Sequence, residues 1–168
     1  RPNAYPFFIA SEIDELKDYS VPLKFIRLTY RDLTDRVIEV LKQDKSVIVI
    51  LSTHHRNGIA AERAAMHHLL AAGCDVPVIL HRDYRETDIE ALQLKAAVDF
   101  GTLLLDGFGD GIMLHNEGCE TMVTDSCMFS ILQATRTRIS KTEYISCPSC
   151  GRTLYDLQTT IARIKKAT

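Results

Sequence analysis

The most specific chemical pattern in this 168-residue chain is Cys147-Pro148-Ser149-Cys150, two of its five cysteines. A C-x-x-C spacing lets two thiolates reach one metal or each other, and a position ahead of a helical stretch favours thiolates through the helix dipole. Three chemistries share that spacing. A zinc ribbon needs a second C-x-x-C about 15–20 residues away, and no cysteine follows Cys150. A thioredoxin-like dithiol follows an early strand of its fold, whereas this pair comes late in the chain. An iron–sulfur site needs at least a third protein ligand. Spacing alone leaves a split metal site and a structural turn both open. Cys74, Cys119 and Cys127 have no ligand spacing and read as ordinary thiols.

A second set of candidates lies where predicted strands run out: Tyr30-Arg31-Asp32, then Ser52 through Gly58, then His81-Arg82-Asp83, Asp106 and His115-Asn116. Ligands of parallel sheets gather beyond the carboxyl ends of the strands. Arg31, Arg56 and Arg82 could surround an anion, and His54, His55, His81 and Asp83 include metal-competent groups. The plainer alternative is that loop positions are polar in any α/β protein. Adjacent histidines also point in different directions, which weakens the metal reading. His67 and His68 fall inside a predicted helix and read as solvated or partly buried residues. The stretch from Asp106 to Gly111 lacks the G-x-G-x-x-G order ahead of a helix and the lysine of a P-loop. It reads as a tight turn between two strands.

The elements that would position these groups alternate. Strands are expected over 7–10, 24–29, 47–51, 78–81, 102–105 and 112–114, with a last short one over 144–146. A helical turn is expected over 12–17. Leu33, Val37, Val40 and Leu41 mark one face of a helix. Alanine- and leucine-rich 59–72 is a second helix, with Gly73 as its cap. Thr87 and Glu90 form a capping box for a third, which Gly101 should stop near Phe100. Further helices are expected over 125–135 and along the stripe Leu154, Leu157, Ile161 and Ile164. The fold class is therefore α/β, a mainly parallel sheet with flanking helices, either open and doubly wound or part of a barrel. A complete eight-unit barrel needs about 250 residues.

Composition narrows the function classes. Twenty basic against 22 acidic side chains leave no excess to neutralise a run of phosphates, so nucleic acid is not an expected partner. No apolar run approaches the roughly 20 residues of a membrane span. An odd number of cysteines, in a chain too large to need a disulfide scaffold, points to reduced thiols and a cytoplasmic setting. The chain opens on Arg1 without a methionine and closes on a helical pattern, which reads as a piece of something longer.

Read with its neighbours, the cysteine pair gains specificity. Residues 141–158 (KTEYISCPSCGRTLYDLQ) closely resemble the iron–sulfur segment of the 4-hydroxy-3-methylbut-2-enyl diphosphate synthases of non-mevalonate isoprenoid biosynthesis. Residues 96–111 (AAVDFGTLLLDGFGDG) resemble the longer, three-domain form of that family. The resemblance is strong over 78–168 and compatible before that. It implies an oxidoreductase whose N-terminal barrel binds 2-C-methyl-D-erythritol 2,4-cyclodiphosphate and whose C-terminal domain carries a [4Fe–4S] cluster. An extra α/β domain lies between them, and ferredoxin or flavodoxin supplies the electrons. Residues 1–140 would then be the inserted domain and 141–168 the opening of the cluster domain. Cys147 and Cys150 match two of three cluster cysteines, which makes them the metal ligands. The third cysteine and a glutamate near an Asn-Gly-Pro-Gly-Glu sequence have no counterpart here. The isolated chain is accordingly expected to hold no stable cluster and to be inactive. Arg136 and Arg138 fall where the family has an arginine-rich strand contacting substrate phosphates, and Arg138 is preferred. The alternative is a non-catalytic spacer or interaction domain with a small anion- or metal-binding rim.

Overall fold

The computed structural model describes residues 4–143 and 155–167. Five strands, β1 (Phe7–Ile9), β2 (Lys24–Leu28), β3 (Val47–Leu51), β4 (Val78–Tyr84) and β5 (Gly111–Asn116), form one sheet. Every ladder is parallel, and the strands lie side by side in chain order. The α/β class with a parallel sheet is thus borne out. Because the order never reverses, the described residues contain no switch point of the kind at which a doubly wound sheet opens its ligand crevice. The 3₁₀ helix Ala10–Asp18 and a short 3₁₀ turn Tyr30–Asp32 precede α1 (Asp35–Gln43). Then come α2 (Gly58–Ala71), α3 (Ile89–Leu105), α4 (Thr121–Ala134) and α5 (Leu157–Ala167).

Parallel strands taken in chain order, joined by crossovers of one hand, carry their helices on one face. Burial follows that rule. Phe8, Ile26, Leu28, Val49, Leu51, Val78, Leu80 and Leu114 alternate along the strands and are all buried. Their neighbours in sequence point the other way, and there Phe7, Ile9, Arg27, Asp83, Met113 and His115 are exposed. The helices contribute Val37, Ile38, Leu41, Ala65, Leu69, Leu92, Ala96, Phe100 and Leu103 to the same core. Capping follows the sequence locally. The Thr34 hydroxyl accepts from the Val37 amide and Asn57 Oδ1 accepts from Ala60. Gly73, at φ +65°, ends α2 as expected.

Four expectations are corrected. Residues 102–105 are not a strand, because they are the last turn of α3. Gly101 lies inside that helix rather than at its end. Leu92, Ala96, Phe100, Leu103 and Leu104 recur at helical spacing on the core face, and burying them outweighs the roughly 1 kcal/mol that a mid-helix glycine costs. The turn at Asp106 to Gly111 therefore joins a helix to a strand. Gly107, at φ +80°, closes α3, with its amide donating to Leu104 O and that of Phe108 to Leu103 O. The N-cap is also displaced by one residue. Asp88, not Thr87, accepts from the Ala91 amide at 2.8 Å, a carboxylate at the positive end of the helix. The expected strand over 144–146 lies outside the described residues.

Gly101 supplies a direct test. A Cβ there would meet only Thr135 Cγ2, at 3.9 Å. Gly101→Ala should therefore stabilise the chain by about 0.5–1 kcal/mol in urea unfolding, since alanine is the better helix former. A clear loss of stability would contradict a helix running through this position.

Candidate functional site

Arg82 is the centre of the polar structure at the carboxyl end of β4. It was expected on the rim, available to an anion, but it points under the helices and its side chain is only 6% exposed. The strand period explains this. Leu80, Arg82 and Tyr84 share the helix-covered face, while His81 and Asp83 share the other. Arg82 Nη1 donates to Glu62 Oε1 of α2 and to the His81 carbonyl, and Nε donates to Asp99 Oδ2 of α3 at 3.2 Å. Tyr84 donates to the same Asp99 oxygen at 2.6 Å, and the Lys95 ammonium lies 4.5 Å from the Tyr84 ring centroid. Glu62 is 1% exposed. Burial pushes its carboxyl up to about 7, against the pull of Arg82. Burial, with Asp99 beside it, likewise raises the Tyr84 phenol. Glu62 Oε2 and Arg82 Nη2 are buried with no hydrogen-bond partner.

On the opposite face His81 is also buried. Its Nδ1 lies 3.0 Å from Ser52 Oγ, and its Nε2 lies 3.7 Å from Asp83 Oδ1. Burial lowers the His81 pKa, opposed by Asp83. Among the described residues no group of three His, Cys, Asp or Glu side chains is arranged to hold a metal ion. The metal-competent residues of the rim are thus separated. His54 and His55 sit after β3, whereas His81 and Asp83 sit on the open face of β4. His67, exposed on α2, packs edge-on to Phe108, and His68, half-buried, packs edge-on to Tyr30. Arg31, Arg56, His54 and His55 are brought together around one cavity.

The arginines after α4 differ from each other. Arg136 has a positive φ of 63° and pairs with Glu143. Arg138 is exposed, its guanidinium lies 5.4 Å from the Phe129 ring centroid, and among the described residues no carboxylate pairs with it. Cys74 and Cys127 are buried thiols whose pKa burial raises, and Cys119 donates to Glu86 O. These three fit no iron–sulfur cluster. Cys147 and Cys150 lie outside the described residues. No described helix is long and apolar enough to cross a membrane.

Sequence reasoning missed Glu62, Tyr84 and Asp99 as one network. A signal existed, since Glu62 shares the buried face of α2 with Ala65 and Leu69. An acid on an apolar stripe needs a buried cation.

Comparison with known proteins gives a consistent result. Over all 168 residues the chain is 80% identical to a protein of Parabacteroides distasonis named 4-hydroxy-3-methylbut-2-en-1-yl diphosphate synthase (flavodoxin), and covers 28% of it. A protein of the same name from Phocaeicola vulgatus is 48% identical over 167 residues, which are 99% of this chain and 27% of that protein. The ferredoxin-type chloroplastic synthase of Oryza sativa is 40% identical over 111 residues, 66% of this chain and 15% of that one. No protein-family model and no solved structure matches.

Glu62 gives the network a pH signature. Its folded pKa of about 7 exceeds the ordinary 4.5, so the native state binds the proton more tightly than the unfolded chain. Its contribution to stability should fall as pH rises from about 4.5 to 7 and level off above. His81, lowered by burial, contributes the opposite slope at the acid end. The difference between the wild-type chain and Glu62→Gln isolates the acid. That difference should shift in favour of the variant as pH rises in urea unfolding from pH 5 to 8. A pH-independent difference would rule out a raised Glu62 pKa.

Proposed function

The chain belongs to the 4-hydroxy-3-methylbut-2-en-1-yl diphosphate synthase family, spanning about 28% of a relative's length, and from that premise we propose that the protein containing it reductively converts 2-C-methyl-D-erythritol 2,4-cyclodiphosphate to 4-hydroxy-3-methylbut-2-enyl diphosphate. The observation that carries this reading is 80% identity over the whole chain, the Cys147–Cys150 segment included. Flavodoxin, printed in the names of the bacterial relatives, is the proposed electron donor, and ferredoxin, printed for the rice protein, is the alternative. Residues 1–140 form the inserted α/β domain in this reading, and residues 141–168 open the cluster domain. A cytoplasmic setting is proposed with it, in keeping with Cys74, Cys119 and Cys127 as free thiols.

Cys147 and Cys150 are proposed as two ligands of a [4Fe–4S] cluster in the whole protein. Three such ligands on iron are the family pattern, and this sequence has no cysteine after Cys150. The 168 residues alone should therefore be inactive. Arg138 is the proposed phosphate contact. A guanidinium without a carboxylate partner keeps its fork of donors available for phosphate oxygens. Arg136 has already committed one edge to Glu143. Its left-handed backbone, where glycine is usual, turns the chain sharply between α4 and Arg138.

The test uses the whole protein and this chain side by side. Cys147→Ser or Cys150→Ser in the whole protein should abolish the iron–sulfur absorbance and turnover. Anaerobic reconstitution of the 168-residue chain should give no stable, stoichiometric cluster. Arg138→Ala should lower kcat/KM by about 10–100-fold, the worth of one charge-assisted phosphate contact, and Arg136→Ala by less. Retained cluster absorbance in both cysteine variants would overturn the ligand assignment, and an unaltered kcat/KM in Arg138→Ala would overturn the phosphate contact.

A further inference from the structure

The loops after β2 and β3 enclose a cavity of about 510 Å³ that has no part in the reaction proposed above. Its wall carries Tyr30, Arg31, Thr53, His54, His55 and Arg56, and no acidic residue lines it. Asp32, the acid of the first loop, is occupied by the Thr29 amide and hydroxyl, each at 2.7 Å. The space falls within the range of small-molecule sites and exceeds what a lone inorganic ion fills.

Backbone amides and guanidinium groups are the donors at this place. α2, 14 residues long, begins two residues after the wall residue Arg56 and lends Ala61 to the wall. Asn57 accepts from the Ala60 amide through Oδ1 and from the Ala61 amide through its carbonyl. The amides of Gly58 and Ile59 have no intrahelical acceptor and stand at the positive end of the helix. The Asn57 amide donates to His55 Nδ1 at 3.0 Å. The same nitrogen lies 3.2 Å from the Asn57 carbonyl, so residue 57 holds the ring whichever nitrogen carries the proton. Arg31 and Arg56 are exposed and add two guanidinium groups.

A second, independent observation lies beneath the first turn. Arg82, 6% exposed, aims its unpartnered Nη2 at Gly58. A Cβ at position 58 would stand 3.0 Å from that nitrogen. A side chain at position 58 would crowd that guanidinium and the Thr53 methyl at 3.1 Å. Glu62 and Asp99 hold the other edges of Arg82, so Nη2 is the edge of the guanidinium left without an acceptor. A buried donor without an acceptor thus stands behind a helix start whose first two amides have no intrahelical acceptor.

We propose that this cavity binds the phosphate or diphosphate group of a small molecule, seated on the amides of Gly58 and Ile59 and clasped by Arg31 and Arg56. Arg82 acts from below through its open Nη2 edge, which packs against the first turn at Gly58. Tyr30 offers a flat wall for the organic part of an ester. The site is separate from Arg138 and independent of the proposed reaction, so either can fail without the other.

Amide NMR of the ¹⁵N-labelled 168-residue chain tests it, titrated with inorganic phosphate, pyrophosphate and phenyl phosphate at constant ionic strength. Saturable shifts are expected at Thr53, Arg56, Gly58 and Ile59. Arg31→Ala/Arg56→Ala should weaken binding at least about tenfold, equivalent to about 1.4 kcal/mol. Arg36→Ala, whose arginine pairs with Asp14 on the surface of α1, should leave binding unchanged. Both substituted arginines are exposed, so the double variant should keep the wild-type unfolding midpoint. Tighter binding of phenyl phosphate than of inorganic phosphate identifies an ester as the ligand, and equal binding identifies the free anion. Shifts that do not saturate, that spread equally over Arg36 and Arg85, or that survive the double substitution undiminished would overturn the proposal.

Discussion

A guanidinium buried against the sheet organises this molecule. Arg82 cannot leave its charge unanswered in a low-dielectric interior, so an acid must reach it from each packed helix, Glu62 from α2 and Asp99 from α3. That requirement fixes the rotation of both helices about their axes. It also joins β4 to elements on either side of it in sequence. Such a pair adds little net stability compared with apolar packing, but removing one partner leaves the other stranded. Its contribution is therefore better described as register than as strength. Tyr84 extends the same logic, because its hydroxyl spends its hydrogen on Asp99 and lets an aromatic body fill the core.

Much of the fold was legible in the sequence. The run Val47 to Leu51 reads as a strand buried on both faces, and it is a strand with four of its five residues buried; Gly73 reads as a helix cap, and it ends α2. What escaped was decided by tertiary contacts. Thr102 to Leu105 carry strand-like composition, but Phe100, Leu103 and Leu104 complete a stripe that a helix buries and a strand would split between faces. Gly107 rather than Gly101 is the stop, because only Gly107 needs a positive φ. The candidate site divides in the same way. Arg31, Arg56, His54 and His55 were readable as a rim because they follow strands directly. Arg82 was misassigned because rim position and strand face are separate questions, and the face depends on a two-residue period counted from Leu80.

The amino and carboxyl ends of the sheet use charge differently. At the amino end Lys24 is buried and spends its ammonium on Leu16 O and Asp44. Lys24 and Ser46 hold the Asp44 carboxyl below its ordinary range despite burial. That pair closes on itself. At the carboxyl end the charges are left open, since arginines, histidines and a helix start face a cavity with no acid in its wall. The asymmetry matches the general placement of ligands in parallel sheets.

Strand order bears on how the chain reaches this state. Each strand pairs with the one before it and the one after it, so every ladder closes only the loop of a single β–α unit. Loop closure of that kind carries the smallest entropy penalty that parallel pairing permits. No described strand has to wait for a distant partner or be inserted between two already paired. The sheet can grow by accretion from one end, as the chain emerges during synthesis, with each helix covering the strand pair that it has just closed.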